Sequence, residues 1–598
     1  MVVALNMSYL PTIVSVDNNS SPVLEAPKKA KLVNMEKIRE FSEKRRASRK
    51  KVPLEILRKT PTADATAGAA ADNKAKTTSG TDTAAAAAAK PAAAADPPPQ
   101  PASSSSSTIA GLNCDRFGGP SEEIAAEMVY WRDIPNDAIF HSPFANYGPK
   151  TKYLVFEPDE GGWNNIRMSM ETATALAHAM GRILVLPPEQ NMYLLNKDSG
   201  SNNRFTFRKF FPFDAISEEH SAVEVISMEE FLDREVMTGK LKDANGTAAF
   251  PPSNRTNWEG HIRDGKDFWH WLRNVTHPPI WDFSRCTSAF AKEPGQEGAE
   301  RLKKIMASLD IEHHPPVVQD YINKPTPVDA PPAQRLKEML AHRKSLCIYD
   351  DYLQNQKVMH FMGDNDSGAR LLVHFYAFMF FEDFKSDLWT KRYVRDHLRY
   401  IDDIQCAAAK IVDAVRQKAR ENGDPNGSFD TMHIRRGDFQ YKQTQIDADE
   451  IVENIKDFMA ENRTLFIATD EKDLNFFKPF TERYKVLFLN DFLHLVPDLN
   501  KNYYGMLDQR IASRGETFAG AMFSTFTGYI NRMRGYHTQK EKLPGWKDGT
   551  MKSYYYVEKQ HKDELINYYP IKGPLWGREF PTSWRDIDHD VHPDHMIG

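Results

Sequence analysis

The chain has 598 residues, 41% of them hydrophobic, with four cysteines and a formal net charge of −5. That length predicts two or three domains with real cores. The negative balance argues against broad nucleic-acid binding, and no run of about 18 apolar residues encodes a membrane span.

Met1 to Val16 is mildly apolar, without a basic n-region or a clear cleavage site, and reads as a poor signal peptide. Residues 1–115 are expected to be disordered, because runs such as 84–89 (alanine), 97–99 (proline) and 103–107 (serine) cannot bury a core. The basic stretch 37–59 within them reads as a solvated arm or stem segment, with a nuclear-localisation signal as the alternative.

Folding is expected to begin near Ser121. Tyr153-Leu154-Val155-Phe156 reads as a buried strand that runs into the turn-rich loop 157–165. Helical spacing follows through Met168, Thr172, Leu176, Ala179 and Met180, ended by Gly181, and 183–186 is a second strand. Strand, Gly-rich loop, helix and strand make one βαβ unit and the start of a parallel sheet. Segment 190–345 is Pro-rich and irregular, and is expected to carry insertions decorating the first domain, with short helices such as 227–234. Residues 371–381 are apolar and aromatic, and 393–422 reads as one or two helices. Strands at 429–435, 464–469, 485–489 and 517–522 then alternate with helices at 447–462, 471–480 and 504–513, a second α/β unit. The expected domains are 120–400, 401–540 and a C-terminal extension, 541–598, packing back on the fold.

Four segments carry candidate chemistry. His433-Ile434-Arg435-Arg436-Gly437-Asp438-Phe439 places two arginines where a strand ends. Arginine suits bidentate phosphate contact, and strand ends facing a crevice hold nucleotides in open α/β sheets. A surface salt bridge is the plain alternative for the arginines, and a satisfied core position for His433. Gly161-Gly162-Trp163-Asn164-Asn165-Ile166-Arg167 lets backbone approach a ligand, offers a helix N-terminus, and supplies two amides and an arginine for a sugar or phosphate. It is neither a Walker A loop nor GxGxxG, and an ordinary βα turn is the alternative. Asp470, at the end of the 464–469 strand, can accept hydrogen bonds from a base or ribose, or act as an N-cap. Ser524 and Thr525, in Phe523-Ser524-Thr525-Phe526-Thr527, put small hydroxyls at a helix start, which suits phosphate oxygens.

Cys114, Cys286, Cys347 and Cys406 are too few for a disulfide framework or zinc site, and read as two disulfides or four buried thiols, the latter by default. Asn-x-Ser/Thr occurs at Asn6, Asn18, Asn19, Asn245, Asn254, Asn274, Asn365, Asn426 and Asn462, against roughly three or four expected by chance. The excess favours a secretory-pathway protein. Asp364-Asn365-Asp366 has DxD spacing but reads as a surface turn, so no metal site is expected.

The order GGxNNxR, HxRRGDF, the strand ending in ATDE, and FxGxxxSTF from Phe518 to Phe526 resembles the GDP-fucose protein O-fucosyltransferase family over about residues 150–540. The resemblance implies a GT-B fold: two Rossmann-like domains, α/β in class, facing a central cleft. It implies that GDP-fucose is the donor and a protein Ser/Thr hydroxyl the acceptor; with no DxD site and an arginine to replace the cation, inverting transfer without a metal or other cofactor is expected. A glycan acceptor, another nucleotide sugar or an inactive sugar-nucleotide-binding relative are the alternatives. It implies that Arg435 grips the β-phosphate, that Ser524 and Thr525 bind phosphate beside Phe526, and that Asp470 contacts the nucleoside. It places Gly161, Gly162, Asn164, Asn165 and His433 near the donor, and matches Glu160, within one position, to a general base, with Asp159 as rival. Family members work in the endoplasmic reticulum or Golgi lumen, while this chain shows no clear signal or anchor and leaves cytoplasm or nucleus open. Lys562-Asp563-Glu564-Leu565 is internal and cannot serve as a C-terminal retention signal.

Overall fold

The structure, a computed structural model, describes residues 110–134, 136–159, 161–192, 195, 204–220, 223–251, 265–276, 281, 286–316, 324–340, 343–363, 371–437, 439, 441–556, 579–589 and 591. The low-complexity region before 110, Glu160, Asp364-Asn365-Asp366 and the 562–565 tetrapeptide lie outside the described residues. The chain divides into a unit over Met1–Gln100 and a unit over Pro101–Gly598, and every described residue belongs to the second.

Among the described residues the strands, in chain order, are β1 (Tyr153–Phe156), β2 (Ile183–Leu186), β3 (Val225–Ser227), β4 (Cys286–Phe290), β5 (Ser345–Ile348), β6 (Val358–Phe361), β7 (Met379–Phe381), β8 (Asp430–Ile434), β9 (Thr464–Thr469), β10 (Lys485–Leu487), β11 (Phe518–Ala521) and β12 (Ser553–Tyr556). They form three sheets of order β3-β2-β1-β6, β5-β4-β7 and β10-β9-β8-β11-β12. Every pairing is parallel, as expected for strands joined by helical crossovers. β1 and β8 are both interior strands buried along their whole length, which explains the continuous apolar sequence of β1.

The helix Trp163–Met180 joins β1 to β2. It is buried on nearly all sides, packed between the helices Phe384–His397 and Thr525–Glu541. Gly181 closes it in a left-handed conformation (φ 61°), a backbone state open to glycine without penalty.

Three expectations require correction. Segment 190–345 does more than decorate: it supplies β3, the edge strand of the four-stranded sheet, and β4, the central strand of the three-stranded one. The signal was weak because β4 reads Cys-Thr-Ser-Ala-Phe, without an apolar run or alternation. β12, beyond the last strand expected, pairs with β11 in full register. The four cysteines are not free thiols. Cys114 joins Cys406, tying the first described residues to the helix Asp402–Glu421, and Cys286 joins Cys347 between neighbouring strands β4 and β5.

The helix expected at 447–462 stops at Ile455, and 471–480 is a 3-10 turn at Leu474–Phe477 followed by the short helix Lys478–Arg483. No helix among the described residues is long and apolar enough to cross a membrane.

Candidate functional site

The candidate segments emerge from the carboxyl ends of β1, β8, β9 and β11. In an open parallel sheet the ligand crevice lies beyond those ends.

β8 alternates, so Met432 and Ile434 enter the core that includes Ile451 and Ile455, while His433 faces the opposite side. There its ring stacks on Phe526 at 4.3 Å, and Nδ1 lies 2.7 Å from Thr527 Oγ1. Burial, reinforced by the nearby Arg435 charge, lowers its pKa to about 3. His433 is therefore a neutral, oriented ring between the 433–439 and 523–527 segments at any physiological pH.

The two arginines diverge at the end of β8. The Arg435 guanidinium is directed to Asp470 at the end of β9. Arg436 turns the other way: Nε donates to Glu471 at 3.0 Å, an Nη donates to Ile446 O at 3.1 Å, and the guanidinium lies 4.1 Å from the Phe476 ring centre. Asp470, expected at the nucleoside, has both oxygens engaged. Oδ1 accepts the Arg436 backbone N–H at 2.8 Å, and Oδ2 accepts that of Gly437 at 3.0 Å as well as Arg435. A Cβ at Gly437 would stand 2.6 Å from Asp470 Oδ2, so a glycine is needed for this approach. Two successive backbone N–H groups beside a guanidinium form a small anion-binding nest. Asp470 supplies the anion here.

The loop after β1 is braced at several points. Asp159 is buried, and its Oδ1 accepts the Gly161 N–H at 2.7 Å. A Cβ on Gly161 would come 2.5 Å from Asn165 Nδ2. Gly162 takes the N-cap position of the helix Trp163–Met180. Asn164 Oδ1 accepts from Gln509 Nε2 at 2.8 Å, and Asn165 Oδ1 accepts from Thr525 Oγ1 at 2.9 Å. Ser524 is the N-cap of the helix Thr525–Glu541, without a side-chain cap hydrogen bond. Phe523 before it has φ 64°, a left-handed state uncommon for a bulky residue, and this turns the chain sharply from β11 into the helix.

Arg167 requires correction as a donor contact. It is 1% exposed, its guanidinium sits 3.6 Å from the Tyr529 ring centre, and it pairs with Glu171 at 3.1 Å. Glu171 also pairs with Arg532 at 2.5 Å, and Arg532 with Glu579 at 2.6 Å. This buried array has two arginines and two carboxylates and locks the helix Trp163–Met180 against Thr525–Glu541. Sequence reasoning missed Gln509, Glu171, Arg532 and Glu579. Each is one polar residue on an otherwise ordinary element, and its role depends on a partner in a distant part of the chain. Among the described residues no group of three or more His, Cys, Asp or Glu is placed to hold a metal ion.

Parallel α/β sheets with polar loops at their carboxyl ends form the kind of scaffold that holds a ligand in a crevice beyond the strands. The family profile described as O-FucT, GDP-fucose protein O-fucosyltransferase, matches residues 153–537, which contain all four segments. The chain belongs to the GDP-fucose protein O-fucosyltransferase family. No curated protein matches the chain significantly. Among solved structures it is similar to POFUT1 in complex with GDP, at 15% identity over 68% of this chain and 99% of that one, TM-score 0.32. It is similar to the fucosyltransferase NodZ from Bradyrhizobium, at 12% identity over 64% and 94%, TM-score 0.31. A variant of Arabidopsis thaliana FUT1 in complex with GDP aligns at 10% identity over 75% and 77%, TM-score 0.28. All three are distant likenesses.

Proposed function

We propose that the protein transfers fucose from GDP-fucose to a serine or threonine hydroxyl of a protein acceptor, with inversion and without a metal ion. The observation that carries this reading is the Thr525–Asn165 hydrogen bond, which joins the loops after β1 and β11 next to the His433–Phe526 stack. Residues 360 positions apart thereby form one polar wall.

In the proposed reaction the acceptor oxygen bonds to C1 of fucose as the bond from C1 to the β-phosphate oxygen breaks. The electron pair leaves with GDP, and the hydroxyl proton passes to a carboxylate of the loop after β1. Glu160 is the proposed base, with Asp159 as rival. Arg435 stabilises the charge that grows on the leaving diphosphate, the task a divalent cation would otherwise perform. The Ser524 and Thr525 side chains and the start of the helix Thr525–Glu541 receive phosphate oxygens. Asp470 orients Arg435 and borders the nucleoside, and Gly161, Gly162, Asn164 and Asn165 line the donor side with His433 and Phe526.

A luminal location in the secretory pathway is part of the proposal. The two disulfides support it, since disulfides persist in oxidising compartments. So do the sequon asparagines among the described residues, Asn245, Asn274, Asn426 and Asn462, all exposed.

Calorimetric titration with GDP, GDP-fucose and UDP-glucose tests the donor, and fucose transfer in EDTA tests the metal. Preferential binding of UDP-glucose, or no binding of any of the three, overturns the donor reading. A strict metal requirement overturns the arginine-for-cation argument, and transfer to oligosaccharides but not to polypeptide overturns the acceptor class.

A further inference from the structure

The carboxyl ends of β1 and β6 are tied together by a cluster outside the site described above. Glu157, the first residue after β1, is buried, and its carboxylate takes Arg273 in fork fashion, with Nε donating to Oε1 at 2.7 Å and an Nη to Oε2. His360 of β6 brings Nε2 to 3.1 Å from Glu157 Oε1, and the Gly363 N–H donates to Oε2 at 3.3 Å. The other His360 nitrogen lies 3.1 Å from Thr276 Oγ1. Burial keeps His360 below its ordinary pKa, so Arg273 supplies the permanent positive charge.

Arg273 lies near the end of the helix Gly265–Val275, which docks on the β1 sheet through Phe268 and Leu272 in one core with Val155 and Val358. The fork holds Glu157 in a fixed plane, because guanidinium and carboxylate match at two points. Glu157 is two residues before Asp159 and four before Gly161. Downstream, the same loop is held at Asn164 and Asn165. The loop is therefore held on both sides, and the upstream support comes from Arg273 of the 190–345 segment together with His360 and Gly363, rather than from the helix that follows.

We propose that Arg273 is a positioning residue for the reaction: by holding both oxygens of Glu157 it sets the exit of β1, and with it the carboxylate loop, against the acceptor. This rests on the reading of that loop as the source of the base. In this role Arg273 acts through Glu157 and not on the donor, so its loss is felt in turnover and not in GDP affinity.

The test uses the full chain, with GDP-fucose and water as acceptor, GDP release as turnover, and calorimetry for the Kd of GDP. Arg273→Ala is expected to lower turnover on the order of 100-fold, the effect of an ångström-scale misplacement, with the Kd for GDP unchanged. Added guanidinium is expected to restore part of the rate, since the Arg273 side chain is 31% exposed and its place can be reached from solvent. Arg273→Lys, which keeps the charge without the fork, is expected to fall between. Glu157→Gln keeps the volume, is expected to reproduce the turnover loss, and decides the matter if Arg273→Ala fails to fold. Turnover of folded Arg273→Ala within about threefold of the unmodified chain, or a GDP affinity that falls in step with turnover, overturns the proposal. If the unmodified chain itself neither binds GDP nor turns over, it is the functional reading that fails.

Discussion

The two arginines at the end of β8 offer the sharpest test, because they are adjacent yet engaged differently. Arg435→Ala removes a partly exposed ion pair whose carboxylate keeps two backbone donors, the N–H groups of Arg436 and Gly437. Such a loss is worth about 0–1 kcal/mol of stability. If Arg435 faces the departing diphosphate, turnover falls by roughly 10²–10³, or about 3–4 kcal/mol of transition-state stabilisation. Arg436→Ala instead breaks hydrogen bonds to Glu471 and Ile446 O and uncovers the Phe476 ring. Charge-assisted hydrogen bonds and a cation–π contact together suggest a loss of about 2–3 kcal/mol in folding. Turnover per folded molecule should then stay near that of the unmodified chain. Urea denaturation read beside GDP release from GDP-fucose separates the two effects. A destabilised but inactive Arg436→Ala, paired with a normally active Arg435→Ala, refutes the assignment of roles.

Glu171→Ala leaves the buried Arg167 and Arg532 with Glu579 as the remaining partner of the array, so unfolding free energy should drop by about 3–5 kcal/mol; a change below about 1 kcal/mol in urea denaturation contradicts the burial argument. Cys406→Ser opens a link between residues 292 positions apart and should cost about 2–5 kcal/mol, read as a lower urea midpoint without reductant, a difference that should vanish once both proteins are reduced. Burial pushes the Glu157 carboxyl up, but His360 and Arg273 more than offset this and hold it at about 2. A depressed carboxylate stabilises the fold above its unfolded value and loses that contribution as pH falls toward 2. The stability gap between Glu157→Gln and the unmodified chain should therefore be constant near neutrality and close between about pH 4.5 and 2; a gap independent of pH across that window contradicts the charge assignment. Expressed through a eukaryotic secretory route, the chain should lose mass with an N-glycosidase, and Asn245→Gln, Asn274→Gln, Asn426→Gln and Asn462→Gln together should remove most of the shift from the described sequons; an unchanged mass contradicts the luminal proposal.

Local pattern accounts for much of the fold. β1, the helix Trp163–Met180, β2, β9 and β11 are legible because each is a continuous apolar run or a helical spacing bounded by Gly or Pro. β3, β4, β5, β6, β7 and β12 were not. They are only three to five residues long, and they are strands because parallel neighbours pair with them in register. The 471–480 segment has helix-forming residues yet begins as a 3-10 turn, where Asp473 caps the backbone N–H of Asn475.

By itself the sequence determined which residues end strands, and therefore that the 159–165, 433–439, 470 and 523–527 segments could share one crevice; the order of their motifs carried the resemblance to a GDP-fucose family. The divergence of the two arginines follows from strand alternation, since neighbours at the end of a strand point to opposite sides. Only the tertiary structure decided who holds whom: Asp470 against Arg435, Asn165 against Thr525, Arg273 against Glu157, Cys114 with Cys406. These are contacts between residues 35 to 360 positions apart. Periodicity records which way a side chain faces within its own element, and partners brought together by the packing of separate elements leave no mark in it.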